Sequence, residues 1–184
     1  MIYANDVPNG NLNGNWAKET DPLAAGNVKL VSLNLGAPAV SSPRSTPVDY
    51  FDVTFDAVAD VKYRLWLRVN AEADDKYNDS LYVQFSGAVN SSGSPIYRIG
   101  TTQGLNVNQA TCSSCVPAGW GWHNGAYWLA DTGEVWFATT GTQTLRVQIR
   151  EDGVRVDQIV LSPSQYLTTR PGSQTNDTTI VPKP

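Results

Sequence analysis

Residues 61–69, Val-Lys-Tyr-Arg-Leu-Trp-Leu-Arg-Val, constrain the fold more than any other stretch. Every odd position is apolar, and the even positions are Lys62, Arg64, Trp66 and Arg68. A strand sends successive side chains to opposite faces, so Val61, Tyr63, Leu65, Leu67 and Val69 form one core face. A helix would scatter the same residues around its axis. The opposite face carries a tryptophan between two arginines. Flat rings flanked by planar cations suit stacking on sugar rings and hydrogen bonding to their hydroxyls. Parity sets direction but not exposure, and a single outward tryptophan in a sandwich often lies under a loop.

The same period recurs along the chain. Phe51, Val53 and Phe55 alternate with Asp52 and Thr54. Leu81, Val83 and Phe85 alternate with Tyr82 and Gln84. Val135 and Phe137 bracket Trp136, and Leu145, Val147 and Ile149 alternate with Arg146, Gln148 and Arg150. In the last such run the apolar positions are even at Val154 and Val156 but odd at Ile159 and Leu161. That slip predicts a β-bulge at Asp157-Gln158. No window sustains the i, i+3, i+4, i+7 pattern of a helix. Many short strands with polar turns predict an all-β antiparallel β-sandwich of the jelly-roll kind. Thr139-Thr140-Gly141-Thr142 reads as a tight hairpin turn.

At 184 residues the chain is one domain, or one domain with a tail. The boundaries expected are 1–168 for the sandwich and 169–184 for a linker-like C-terminal tail rich in Pro, Ser and Thr. The net charge of −4 gives no basic stripe to neutralise phosphates, which argues against nucleic acid. No run of about eighteen apolar residues exists to span a membrane as a helix. The N-terminus shows no basic region followed by an apolar one. Six Trp, 8 Tyr, 15 Gly and 11 Pro with few Lys and Glu instead suggest a secreted β-protein.

Cys112 and Cys115 leave three readings. A redox Cys-x-x-Cys wants a helix N-terminus, which the surrounding Gly and Pro disfavour. A zinc site needs about four ligands, and only His123 is near enough in sequence to join them. A local disulfide pinning a loop in an oxidising compartment fits best.

Residues 100–133 form a long connection with few strand signals. It holds the cysteine pair and the aromatics Trp120, Trp122, Tyr127 and Trp128, so function rather than disorder is expected there. His123, the sole histidine, lacks a nucleophile motif beside it and reads as packed on Trp122. Carboxylates such as Glu72, Asp74, Asp75, Asp79, Glu134, Glu151 and Asp152 leave a glycosidase as the rival from another class. A structural or adhesion sandwich with packed aromatics is a third reading. Asp6 near the first strand and Asp157 at the bulge of the last are candidate calcium ligands joining the chain ends. Asp157 capping the bulge backbone explains that residue equally well.

Several segments resemble bacterial carbohydrate-binding jelly rolls. They are Tyr63–Arg68, Asn78–Phe85, Tyr97–Thr102, Gly119–Trp122 and Gly141–Gly153, with the ending Val156-Asp157-Gln158-Ile159-Val160-Leu161-Ser162. The last is similar to the galactose-binding-like superfamily, which includes malectin-like domains and the family 6 and family 35 carbohydrate-binding modules. The resemblance implies a secreted, non-catalytic, monomeric module that binds a polysaccharide, such as a plant cell-wall or other β-glycan, and is appended to a catalytic domain. It implies a structural calcium at Asp157, although this chain offers only Asp6 where relatives carry a pair of glutamates. It implies a binding site at the loop rim, matching Trp120 and Trp122 with Arg150, Glu151 and Asp152; His123, Asn124, Tyr127 and Trp128 of the same loop complete the candidate set. A sheet-face site at Trp66 and Tyr82 is the alternative.

Overall fold

The structure is a computed structural model that describes residues 1–183. Thirteen strands occur among them. In chain order they are β1 (Ile2–Tyr3), β2 (Leu12–Asn13), β3 (Trp16–Thr20), β4 (Val28–Ser32), β5 (Tyr50–Ala57) and β6 (Tyr63–Ala71). There follow β7 (Ser80–Phe85), β8 (Ala88–Val89), β9 (Leu105–Asn108), β10 (Gly121–His123), β11 (Glu134–Phe137), β12 (Gly141–Ile149) and β13 (Val154–Ser162). One sheet runs β3-β4-β13-β6-β11-β8, with β1 added to β13 and β10 added to β6; the other runs β2-β5-β12-β7-β9. All named strand pairs are antiparallel. From β4 to β9 successive strands alternate between the sheets, so each connection crosses the core. The chain is therefore an all-β antiparallel β-sandwich.

The core lies between the sheets and follows from the alternation. Tyr63, Leu65, Leu67 and Val69 of β6 face Phe51, Val53, Val83, Phe85, Leu145 and Val147 of the other sheet. Phe55, Tyr63, Phe85 and Phe137 meet edge to face at centroid distances of 5.5–6.3 Å. Such pairs add about 0.5–1.5 kcal/mol each beyond their burial. The slip in β13 is a bulge between Val156 and Gln158. It lets Val154, Val156 and Ile159 all reach the core. It also divides one edge of β13 between two partners, β4 before it at Arg155 and Val156 and β1 after it at Gln158 and Ile159.

The structure corrects two expectations about the chain's path. Residues 139–142 do not close a hairpin, because β11 pairs with β6 and β8 whereas β12 pairs with β5 and β7. Alternation shows that two runs are strands but does not say which sheet each joins. The segment 171–183 is not a free linker either. Along β10, Trp122 N–H donates to Ser173 O at 3.0 Å, Asp177 N–H to Trp120 O at 2.8 Å and Trp122 Nε1–H to Thr179 O at 3.2 Å. Val181 N–H donates to the Gln158 side chain of β13 at 3.1 Å. A Cβ on Gly121 would lie 1.9 Å from Gln174 O, so only glycine lets the tail approach this closely. Composition reports local propensity, and this tail is held by partners distant in sequence.

Candidate functional site

The outward face of β6 is covered. Trp66 and Trp122 form a second apolar cluster with Val160, Val181 and Tyr166. Trp66 Nε1–H donates to Tyr166 O at 2.8 Å. Arg68, only 1% exposed, pairs with Asp157 and donates from Nη2 to Asp177 O at 2.9 Å. Its guanidinium also lies 5.0 Å from the Trp120 ring centroid. Trp66, Trp120 and Trp122 are thus interior residues, which corrects their assignment as sugar platforms. His123 is buried as well, with Nε2 2.8 Å from Gln174 O. Burial lowers its pKa to about 4, so it is neutral at physiological pH.

The carboxylates expected to bind calcium are engaged elsewhere. Asp6 accepts from Tyr3 N–H at 2.8 Å and pairs with Lys183. Asp157 accepts from Ala25 N–H at 2.7 Å and from Arg68, which places a guanidinium where a cation would act. Burial raises Asp157 to about 6, held back by Arg68 and the Ala25 amide. Its Oδ1 has no hydrogen-bond partner, but the described residues contain no group of three His, Cys, Asp or Glu side chains able to hold a metal. A single free carboxylate oxygen beside an arginine does not make the oxygen cage that calcium requires, so these residues do not fit the ion.

The rim of the five-stranded sheet is different. Tyr127 and Trp128 are 46% and 44% exposed and meet edge to face at 4.6 Å. The Arg150 guanidinium lies 5.5 Å from the Trp128 ring centroid. On one side of Trp128 is a depression of about 420 Å³, lined by Tyr82, Tyr97, Gln103, Asn106 and Leu129 and closed by Ser41–Pro43. Beyond Arg150 a second one, about 170 Å³, is lined by Lys76, Tyr77, Asn108, Tyr127 and Glu151. Asn106 is 6% exposed, and its side-chain oxygen has no hydrogen-bond partner. Tyr97 holds a left-handed backbone, φ 48°, which is unusual for an aromatic residue and concentrates at functional sites. Asn124 and His123 line a third depression, about 180 Å³, on the far side of Tyr127.

The floor is polar and fixed. Arg150 pairs with Glu151 and donates from Nη1 to Ser80 Oγ at 2.7 Å. Ser80 Oγ donates to Glu151, whose Oε2 also accepts from Asp79 N–H at 3.4 Å. Asp79, 1% exposed, accepts from Ala110 N–H at 2.8 Å and from Asn108 Nδ2 at 3.2 Å. Burial, with the neighbouring Glu151 charge, pushes its pKa up to about 7 against the pull of the Ala110 amide and Arg150. Asp79 is thus a buried carboxyl, its Oδ1 without a hydrogen-bond partner, whereas both carboxyls of a glycosidase stand open to the scissile bond, about 5–9.5 Å apart. Asp152 has a structural task, accepting from Leu35 and Ala37 N–H at 2.8 Å to anchor the 33–48 strap across the sheet. Tyr82 joins the same anchoring, donating from its hydroxyl to Val40 O at 2.9 Å, while its ring lines the cleft.

Of the candidate residues, the fold brings together Tyr82, Tyr127, Trp128, Arg150 and Glu151, with Asn124 beside them. Sequence reading missed Tyr97, Gln103, Asn106 and Asn108. The signal for the last two is Leu105-Asn106-Val107-Asn108, a period-two run whose asparagines face outward. Cys112 and Cys115 are joined in a disulfide in the adjoining loop.

No family model matches this chain, and no curated protein matches it. Among solved structures it is similar to a family 35 carbohydrate-binding module from Clostridium thermocellum. The identity is 12% over 82% of this chain and 90% of that one, with a TM-score of 0.45. A likeness this slight carries no functional conclusion; the chemistry of the rim has to supply one.

Proposed function

We propose that the chain is a non-catalytic module that binds a polysaccharide at the rim cleft. The observation that supports this best is the pair of half-exposed rings, Tyr127 and Trp128, above a fixed floor of Asn, Gln, Arg and Glu side chains. Rings bury the apolar C–H faces of a sugar, and amide and guanidinium groups satisfy its hydroxyls. Binding rather than cleavage is favoured because Glu151, which lines the cleft, is tied to Arg150 and Ser80, and Asp79 is buried. A plant cell-wall or other β-glycan is the ligand class in this reading. The setting is extracellular, consistent with the disulfide, and the module acts as a monomer attached to a catalytic domain.

Retardation of the protein in native gels containing soluble glycans, with reducing-end release measured in parallel, tests the reading. The expected result is retardation without release, weakened by about 1–3 kcal/mol in Trp128→Ala, the scale of an aromatic binding anchor. Release of reducing ends, or unchanged retardation of Trp128→Ala, overturns it.

A further inference from the structure

We infer that the rim is a linear groove holding at least three consecutive sugar units of a single chain, rather than a pocket for one terminal sugar or a platform for a flat crystalline surface. This rests on the sugar-binding reading above. The depression containing Lys76, Tyr77 and Arg150 shares Trp128 with the larger one at Tyr97 and Asn106. It shares Tyr127, Asn108 and Ala110 with the one at Asn124 and Asp131. The two outer depressions have no lining residue in common, so the three lie in a row with the Arg150 depression in the middle. Their volumes, about 420, 170 and 180 Å³, give each room for a ring. The boundaries between them are aromatic, Trp128 at one and Tyr127 at the other.

The orientation of those rings narrows the class further. Their planes differ by 84°, so both cannot lie against one flat surface. A single chain whose successive units turn relative to one another can meet both. The polar groups are likewise spread along the row. Gln103 and Asn106 serve one end, Asn108 and Arg150 the middle, and Asn124 the other end. A lone sugar would leave most of these groups unused.

Titration calorimetry with gluco-, xylo-, manno- and galacto-configured oligosaccharides, each from the monosaccharide to the hexasaccharide, tests this. It is paired with a pull-down on crystalline cellulose. In the series that binds, affinity should rise roughly tenfold or more from monosaccharide to trisaccharide, each tenfold being about 1.4 kcal/mol. Asn124→Ala should remove much of that gain. Its melting temperature should match the parent's, which separates lost binding from lost folding. A monosaccharide binding as tightly as the trisaccharide overturns the groove but not the sugar-binding reading. Retention on crystalline cellulose that soluble oligosaccharides do not compete away also overturns the groove alone. No binding to any series, with no retardation by any polysaccharide, defeats the sugar-binding reading and the groove with it.

Discussion

The outward face of β6 and the rim around Trp128 are both rich in aromatics and arginine, yet one is interior and the other is open. On β6, Trp66 and Arg68 lie beneath a C-terminal segment about a hundred residues away in sequence, and each is hydrogen-bonded to it. At the rim, Tyr127 and Trp128 follow the short strand β10, and Arg150 packs over Trp128 without enclosing it. The same residue types therefore serve packing in one place and contact in the other. What separates them is whether a distant segment supplies both apolar cover and backbone carbonyls for the indole N–H and the guanidinium. A buried tryptophan or arginine needs such partners, whereas an exposed one has water.

The contrast is broken most directly by removing a covered ring. Trp122 is fully buried, and Trp122→Ala should cost about 3–5 kcal/mol in denaturant unfolding. Trp66→Ala should behave similarly; a cost under about 1 kcal/mol for both would mean that the tail does not cover this face in solution. Arg68→Met tests the polar half of the same cover. It strands Asp157 and Asp177 without their cation, and losing one partner of a buried pair costs about 3–5 kcal/mol. A denaturant midpoint within error of the parent would show that the pair is open to water.

On the open side the balance reverses. Trp128→Ala should change stability by no more than about 0.5 kcal/mol while weakening glycan binding as described above. A large loss of stability would place Trp128 with the covered rings.

A further effect, set by pH, is expected at Asp79. Asp79 has a folded pKa of about 7 against an ordinary 3.8, so the folded state holds its proton over a range where the unfolded chain has released it. Its contribution is full below about pH 4 and declines as pH rises toward 7, with no further loss above. Melting temperatures of the parent, relative to Asp79→Asn, should therefore fall across that window. Parallel curves for the two proteins would show that the carboxyl is ionised throughout. The smallest effect is expected from metal. With Arg68 as the cation at Asp157, neither calcium nor a chelator should move the melting temperature, and a chelator-sensitive melt would restore the calcium reading.

The strand alternation in 51–55, 61–69, 81–85 and 145–149 was enough to define a sandwich with one shared core, because the side-chain period of a strand is fixed by backbone geometry alone. The phase slip at Asp157-Gln158 located the bulge for the same reason. The strands Trp16–Thr20 and Val28–Ser32 escaped notice, since Lys18, Glu19 and Lys29 make their apolar pattern short and broken. Strand β10 escaped because Gly121-Trp122-His123 has no period to read, and its partners lie in Leu67–Val69.

For the site, the sequence determined that aromatics cluster in 120–128 and that Arg150 and Glu151 stand at a strand end. It could not say which rings are open. Exposure depends on what lies above a side chain, and here the covering residues come from 163–183 and from the 33–48 strap, both of irregular structure and without a periodic signal. Local patterns record the direction in which a chain points its side chains. Only long-range packing, with the buried donors and charges it must satisfy, decided that Trp66, Trp120 and Trp122 became interior and that Tyr127 and Trp128 did not.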